Sequence, residues 1–299
     1  MIALGISDYD EVIVPSFSFI STANAPLYVG ARAVFADIET ETYALDIDSV
    51  KSKVTGCTKA IILVHYAGQP ARDRKKIAQF AKEAGLYLVE DCAESMGADC
   101  GNYGDISCWS FCQNKIITTG DGGALTTNKK WLYDELKQIV NLGKKNNKFV
   151  SLGYNWRLSE MQCALGISQL ASIDDFIAKR RSHAKYLCEK LQKPFDPNSV
   201  YQLFTVSYKA KEIARIKKNL KDVSWNVYFR PIHLTGYYKS LGYAEGSLPV
   251  TESIAKQVIT LPMYPNLTRR DLDYIADKVW TAISSNRSTK KRPISTQKK

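Results

Sequence analysis

Residues 58–91 read TKAIILVHYAGQPARDRKKIAQFAKEAGLYLVED and contain two apolar runs separated by a helical stretch. The runs Thr58–Val64 and Leu86–Glu90 are rich in aliphatic residues, a composition that is typical of buried strands. Between them, Asp73–Ala84 carries its apolar residues at helical spacing. A strand, a helix and a strand in this rhythm predict a right-handed crossover and a parallel sheet.

The same alternation continues on both sides of this stretch. Further strands are predicted at Glu11–Val14, Ala33–Ala36, Ile106–Phe111 and Ala124–Thr127, and helices at Trp131–Asn141 and Ser159–Leu191, the second broken near Ser172–Asp174. After about residue 195 the predicted elements are shorter: strands Gln202–Tyr208 and Trp225–Phe229, and helices Lys211–Leu220 and Arg269–Ile283. We therefore predict a large α/β domain at residues 1–192, a small α+β domain at 193–285, and a disordered basic tail at 286–299.

Composition excludes several classes of protein. The chain has 299 residues, of which 45% are hydrophobic, so it can bury a substantial core. It contains no apolar run long enough to span a membrane, and its first residues lack the features of a signal peptide. We therefore expect no membrane partner and a cytoplasmic location.

The net charge of +11 does not indicate a nucleic-acid partner. Six lysine or arginine residues fall in the stretch 286–299, which has no acidic residue and reads as a solvated tail. The rest of the sequence shows neither basic residues interleaved with aromatic ones nor a recognisable nucleic-acid-binding module. We therefore expect no nucleic-acid partner.

The seven cysteines do not predict a metal site. Four of them, Cys92, Cys100, Cys108 and Cys112, are spaced by eight, eight and four residues, with no C-x-x-C pair and no histidine nearby in sequence. We therefore expect no bound metal, and free thiols in a reducing compartment.

Two residues stand where ligands bind in parallel sheets, at the carboxyl ends of predicted strands. A carboxylate buried at Asp91 needs a cationic or hydrogen-bonding partner, although an acid that caps the next helix fits the segment equally well. Lys115 lies in SFCQNKIITTGDGG, Ser110–Gly123, a strand followed by a glycine-rich turn. A desolvated lysine there can act as a nucleophilic amine, but a surface lysine before a hairpin also fits.

These segments together resemble a known family. Ser110–Gly123, with Asp91–Glu94 (DCAE), Gly153–Arg157 (GYNWR) and Pro15–Phe19 (PSFSF), resembles the DegT/DnrJ/EryC1/StrS family of sugar aminotransferases, which depend on pyridoxal 5′-phosphate (PLP). The resemblance runs in matching order from about residue 5 to 283. It implies the type I PLP-transferase fold, in which helices flank a mostly parallel sheet and a smaller α+β domain follows, and it implies PLP as the cofactor.

The resemblance also implies roles for individual residues. Lys115 matches the lysine that holds the cofactor as a Schiff base and moves protons. Asp91 matches the partner of the pyridine nitrogen. Glu94 matches the position near the 3-hydroxyl of the cofactor, and Phe19 matches the aromatic residue over its ring.

Two further positions concern the cofactor phosphate. Ser110 matches the phosphate-binding serine, and Asn155 matches an asparagine that reaches the phosphate from the neighbouring subunit. The second match implies a homodimer with shared active sites. Ser18, Arg157, His65 and His233 are additional candidates, and the two histidines fit roles in the core or at the surface equally well.

The implied reaction moves an amino group from glutamate to a nucleotide-linked keto sugar. The amino-acid sequence of Asn114–Gly120 is most similar to those of the family branch that makes perosamine and related 4-amino sugars. The alternative is a non-catalytic or impaired paralogue that binds a sugar nucleotide or a partner subunit. Sugar dehydration goes with histidine in place of the lysine in this family, and Lys115 argues against it.

The chain departs from the family pattern in two places. Asp121 stands where the family usually has glutamate, a change of one methylene group. The match also begins partway into the pattern, after the segment whose Ser-Gly-Thr-like turn gives backbone N–H groups to phosphate. Three explanations would account for the late beginning of the match: an internal start in the gene, a degenerate or regulatory paralogue, or a weakened but active enzyme. The later motifs are intact, which favours an internal start.

Overall fold

The computed structural model describes residues 1–284, and the predicted tail at 286–299 lies outside them. The strands in the described part are β1 (Glu11–Pro15), β2 (Arg32–Ala36), β3 (Thr58–Val64), β4 (Tyr87–Asp91), β5 (Ile106–Ser110), β6 (Gly123–Thr126), β7 (Lys144–Lys145), β8 (Lys148–Phe149), β9 (Phe204–Ser207) and β10 (Val258–Leu261). Six of them form one sheet in the order β2-β1-β3-β4-β5-β6. Neighbours from β2 to β5 are parallel, and β6 pairs antiparallel with β5.

Helices surround this sheet and fill the second half of the chain. They are α1 (Ser21–Leu27), α2 (Ile47–Ser52), α3 (Arg74–Glu83), α4 (Lys130–Ile139), α5 (Glu160–Leu170), α6 (Ile173–Leu191), α7 (Ala210–Asn219), α8 (Gly236–Ser240), α9 (Pro249–Gln257) and α10 (Arg269–Ser284). Within residues 1–284 there is no helix whose length and apolar content would suffice to cross a membrane.

The central strands are apolar because both faces of the sheet are covered. Val12 and Ile62 belong to one buried cluster, whereas Ile13 and Ile61 belong to another on the opposite face. Successive residues of a strand point to opposite faces, so a strand covered on both sides becomes a continuous apolar run. This confirms the mostly parallel α/β sheet that was predicted from residues 58–91.

A second hydrophobic core lies in the later part of the chain. It joins the antiparallel pair of β9 and β10 to helices α6, α7 and α10. Side chains from the last two turns of α6, including Leu187 and Leu191, contribute to this core. The division of the chain at residue 192 therefore stays a prediction.

One predicted strand is wrong. Trp225–Phe229 does not form a strand; only Asn226 makes an isolated bridge, with Thr260. Two apolar residues of this stretch serve side-chain packing instead, since Val227 and Phe229 pack against a buried hydrophobic cluster that includes Phe17 and Tyr66. Phe229 reaches Tyr66 and Phe19, with ring centroids 6.2 and 6.1 Å apart.

A buried carboxylate holds the turn that leads into β5. Glu90 accepts hydrogen bonds from the backbone N–H groups of Gly101, Tyr103 and Gly104 at 2.9, 2.7 and 2.7 Å, and from His65 Nε2 at 2.9 Å. Burial alone would raise the pKa of Glu90, but these hydrogen bonds lower it below its ordinary value. The anchored turn fixes where β5, and the lysine loop after it, begin.

Candidate active site

Asp91 is the last residue of β4, at the carboxyl end of the parallel sheet. Its Oδ2 accepts a hydrogen bond from Thr22 Oγ1 at 2.9 Å, and its Oδ1 accepts one from the Ala93 backbone N–H at 3.2 Å. The carboxylate is thus held at the edge of the sheet where ligands bind in open α/β folds.

Lys115 lies in the loop between β5 and β6. The loop is pinned by hydrogen bonds from Phe111 N to the Gly122 carbonyl and from Thr119 N to the Phe111 carbonyl, both at 2.9 Å. Glycine is required at 123, because a Cβ there would lie 2.5 Å from the carbonyl oxygen of Trp109. The pinned loop holds the lysine side chain in a largely buried position, 16% exposed.

Glu94 lies beside the lysine and follows the acid at the sheet edge by three residues. Lys115 Nζ lies 3.8 Å from Glu94 Oε1, and Glu94 Oε2 accepts a hydrogen bond from Ala67 N at 2.8 Å. Burial raises the pKa of Glu94, the Lys115 amine opposes that rise, and the Asp91 carboxylate adds to it. The Glu94 carboxyl is therefore within electrostatic range of both candidate catalytic residues.

Phe19 lies on the surface beside this group. Its side chain is 60% exposed, and its ring packs against Phe229 at 59°. It directly follows Ser18, whose hydroxyl lies 2.8 Å from Thr22 Oγ1 and so connects to Asp91. The exposed face of Phe19 is thereby available to a flat ligand near the acid.

The two predicted phosphate contacts are separated in the structure. Ser110 ends β5, and its Oγ accepts from Cys112 N at 3.3 Å while its own O–H finds no acceptor among residues 1–284. Asn155 Oδ1 accepts from Arg157 Nε at 3.0 Å, and its backbone bridges to Asn141. In the described chain no hydrogen bond or ion pair links Asn155 or Arg157 to Ser110 or Lys115.

The two candidate histidines are fully buried and hydrogen-bonded on both ring nitrogens. His65 Nδ1 accepts from Ala71 N at 3.0 Å, and its Nε2 contacts Glu90. His233 Nδ1 lies 2.6 Å from Ser16 Oγ, and its Nε2 lies 3.1 Å from Glu252 Oε1. These contacts give both histidines core roles.

His65 also lies close to two thiols. The ligand atoms of His65, Cys92 and Cys100 all lie within 4.8 Å of one another, an approach that the cysteine spacing did not reveal. Both ring nitrogens of His65 are occupied by the contacts above, so a metal would have to displace one of them. The seven cysteines are free thiols.

The residues around Lys115 provide the groups that PLP requires. A largely buried amine can form the covalent link, a carboxylate at Asp91 can pair with the pyridine nitrogen, and the free hydroxyl of Ser110 can donate to phosphate. Each carboxylate oxygen of Asp91 carries one donor and retains a further lone pair, so a ring N–H can still be accepted. The donor set fits the cofactor.

Sequence reasoning missed Thr22. It follows Phe19 by three residues, and its hydroxyl is the side-chain donor to Asp91. The sequence signal that could have identified Thr22 is its spacing from Ser18, four residues or one helical turn. That spacing carried no meaning, because no helix was predicted in this stretch.

A cavity of about 750 Å³ lies elsewhere, between β6, α4 and residues 156–162. Its walls include Trp109, Tyr133 and Trp156, whereas Lys115 and Asp91 do not line it. This cavity is a separate feature from the lysine site.

The chain is similar to known proteins over most of its length. Residues 1–280 match the DegT/DnrJ/EryC1/StrS aminotransferase family. The chain is 34% identical over 297 residues to the GDP-perosamine synthase of Escherichia coli O157:H7, covering 93% of this chain and 80% of that protein. It is 35% identical over 291 residues to the UDP-N-acetyl-3-dehydro-alpha-D-glucosamine 3-aminotransferase of Acidithiobacillus ferrooxidans, covering 92% of this chain and 78% of that protein. The crystal structure of NtdA from Bacillus subtilis with its cofactor PMP bound matches with a TM-score of 0.88 at 29% identity, covering 95% of this chain and 70% of that one.

Proposed function

Because the chain belongs to the DegT/DnrJ/EryC1/StrS family of PLP-dependent sugar aminotransferases, we propose that it transfers an amino group from glutamate to a nucleotide-linked 4-keto-6-deoxy sugar. The observation that carries this proposal is the contact of a largely buried lysine with a carboxyl group just after the end of β4: Lys115 Nζ lies 3.8 Å from Glu94 Oε1, and Glu94 follows Asp91 by three residues.

Each residue of the group has a proposed task. When bound, PLP supplies an electron sink that stabilises negative charge on the substrate carbon. Lys115 would hold the cofactor covalently, and its amine would carry protons at the reacting carbon of the substrate. Asp91 would pair with the ring nitrogen and keep it protonated.

The remaining residues of the group hold the cofactor in place. Ser110 would donate to the phosphate, and Glu94 would hold the 3-hydroxyl. Phe19 would lie against one face of the ring. The exposure of the Phe19 ring and the free hydroxyl of Ser110 support these assignments.

The proposed sugar specificity is inferred from the sequence of the lysine loop and from the name of one relative. Asn114–Gly120 is most similar to the perosamine branch, and the Escherichia coli relative is named GDP-perosamine synthase. The Acidithiobacillus relative is named a 3-aminotransferase of a UDP-linked sugar. We infer that this chain aminates the 4-position of the sugar. A GDP-linked 4-keto sugar and a UDP-linked 3-keto sugar can therefore be compared as acceptors.

The purified protein, given PLP, L-glutamate and a GDP-linked 4-keto-6-deoxyhexose, is expected to release one 2-oxoglutarate for each amino sugar formed. A UDP-linked 3-keto sugar serves as the competing acceptor and is expected to react more slowly. Coupled detection of 2-oxoglutarate and mass spectrometry of the sugar measure both products. Thermal stabilisation by the sugar nucleotide without any 2-oxoglutarate would instead favour the non-catalytic alternative.

We also propose a homodimer that shares its active sites across the interface. Helix α5 has no buried residue, and its apolar side chains Met161, Ile167 and Leu170 are 83%, 72% and 56% exposed. Apolar surface of this extent on one helix is typical of a protein interface. The helix begins five residues after Asn155 and adjoins the 750 Å³ cavity. In the proposed dimer, Asn155 of one subunit would reach the phosphate held by Ser110 of the other.

Replacing Ile167 with aspartate is expected to dissociate the dimer, because the charge would have to be desolvated at an apolar interface. We expect the dimer dissociation constant to rise at least about tenfold, measured by analytical ultracentrifugation. Leu241→Asp is the matched control, since Leu241 is also an exposed aliphatic residue, at 49%, outside α5. Equal association of Ile167→Asp, Leu241→Asp and the unaltered protein would contradict the proposed interface.

A further inference from the structure

Two hydroxyl groups form a chain that ends on the Asp91 carboxylate. Thr22 Oγ1 lies 2.9 Å from Asp91 Oδ2, and Ser18 Oγ lies 2.8 Å from Thr22 Oγ1. Thr22 and Ser18 are 5% and 4% exposed. In the sheet, β3 lies between β1 and β4, so this chain connects the segment after β1 with the end of β4 through side chains alone.

The direction of both hydrogen bonds follows from counting protons. An ionised carboxylate only accepts, so the single hydroxyl proton of Thr22 goes to Asp91. Thr22 then has only lone pairs left for Ser18, and Ser18 must donate to Thr22. Each bond polarises the next one, which strengthens the final bond to the carboxylate.

The Asp91 carboxylate needs such a donor to keep one orientation. The last torsion of an aspartate side chain is broad, so packing alone leaves the carboxylate plane poorly fixed. Ala93 N holds Oδ1 at 3.2 Å, and Thr22 holds Oδ2 at 2.9 Å. With one donor on each oxygen the plane is set, and the lone pairs that remain point in defined directions.

We propose that Thr22 is a positioning residue that orients Asp91 towards the ring nitrogen of bound PLP, and that Ser18 acts through Thr22. This inference rests on the function proposed above for Asp91. The hydroxyl of Thr22 is occupied by Asp91 and Ser18, so Thr22 acts by fixing the acid and not by binding the cofactor itself. The loop that contains Phe19 is tied to Asp91 by the same contacts, so the aromatic face and the acid keep a constant relative position.

Replacement of Thr22 by valine tests the inference, because valine keeps the branched shape and removes only the hydroxyl. We expect the PLP dissociation constant, measured by equilibrium titration of apoprotein, to rise about tenfold, as loss of a hydrogen bond to a charged group implies. The visible absorbance spectrum of the bound cofactor is expected to change as well. Thr22→Ser retains the hydroxyl and should stay within about twofold of the unaltered protein, and Ser18→Ala should fall between the two variants.

Thr58→Val is the matched control. Thr58 is also a buried threonine beside a carboxylate, 5% exposed and 3.5 Å from Glu11 Oε2, but it lies at the opposite end of its strand from the lysine site. It is expected to lower stability and to leave the PLP affinity and spectrum unchanged. An effect of Thr58→Val equal to that of Thr22→Val would overturn the inference, because it would show a general loss of packing.

The test also separates this inference from the function on which it rests. If the unaltered protein binds PLP and Thr22→Val binds it with the same affinity and spectrum, Thr22 has no positioning role while the proposed function stands. If the unaltered protein does not bind PLP, the proposed function fails, and the inference fails with it.

Discussion

Replacement of Lys115 by alanine is expected to abolish the covalent attachment of PLP and to lower kcat by about 10⁴-fold or more, since both the nucleophilic amine and the proton carrier are lost. The side chain is largely buried, and its Nζ lies 3.8 Å from Glu94 Oε1. Treatment with borohydride followed by peptide mass spectrometry measures the attachment directly. The cofactor mass should be found on the peptide that contains Lys115 in the unaltered protein and on no peptide of the variant.

Two controls sharpen this result. Lys115→Arg keeps the positive charge beside Glu94 but cannot form the covalent link, so it should fail as completely as alanine. Lys193→Ala removes a partly buried lysine that lies over the ring of Tyr208, far along the chain from the lysine loop, and should retain the attachment. Borohydride-stable cofactor on Lys115→Ala would refute the assignment of Lys115.

The parallel part of the sheet could be predicted from the sequence because burial on both faces leaves a strong pattern. Thr58–Val64 was predicted with the bounds that the structure has, and the strand that ends at Asp91 was predicted one residue too early. The helix between them repeats apolar residues over its full length, as Ile77 and Ala81 face the core. Long periodic segments of this kind carry more information than any one residue.

The errors occurred where tertiary contacts override local pattern. Trp225–Phe229 alternates like a strand, but Val227 and Phe229 pack against a buried hydrophobic cluster, and Pro231 follows closely. Helices α1 and α2 have only seven and six residues, too few to show a helical period. Helix α2 instead begins at a capping contact, from Ser49 N to Asp46 Oδ1 at 2.8 Å.

Only those residues of the candidate site that lie in short sequence motifs could be predicted. Asp91 and Glu94 lie in one short segment and Lys115 in the next, so their spacing could be compared with a family pattern. Thr22 lies 69 residues before the carboxylate that it contacts, and no spacing rule joins the two. His65 likewise reaches Glu90 and the thiols of Cys92 and Cys100 only after β3 and β4 have paired. Contacts between neighbouring strands must therefore be read from the structure.

Replacement of Asp91 by asparagine is expected to lower kcat by about 10³-fold, while the folded protein remains intact. The two side chains have the same shape, but asparagine is neutral and has a single acceptor oxygen. In the structure Thr22 and Ala93 already donate to the two carboxylate oxygens, and the ring nitrogen would be a third donor. At least one donor therefore loses its acceptor, and the charge that keeps the ring nitrogen protonated is gone.

The Asp91 effect is best measured in the first half-reaction, by rapid mixing of the PLP-loaded protein with glutamate and recording of the cofactor absorbance. Asp105→Asn is the matched control: Asp105 also accepts from a backbone N–H, that of Leu88 at 2.7 Å, and lies at the other end of β4 and β5. It should lower stability and leave the rate unchanged. A rate for Asp91→Asn within about tenfold of the unaltered protein would mean that the ring nitrogen has another partner, because removing one well-placed charge costs more than that.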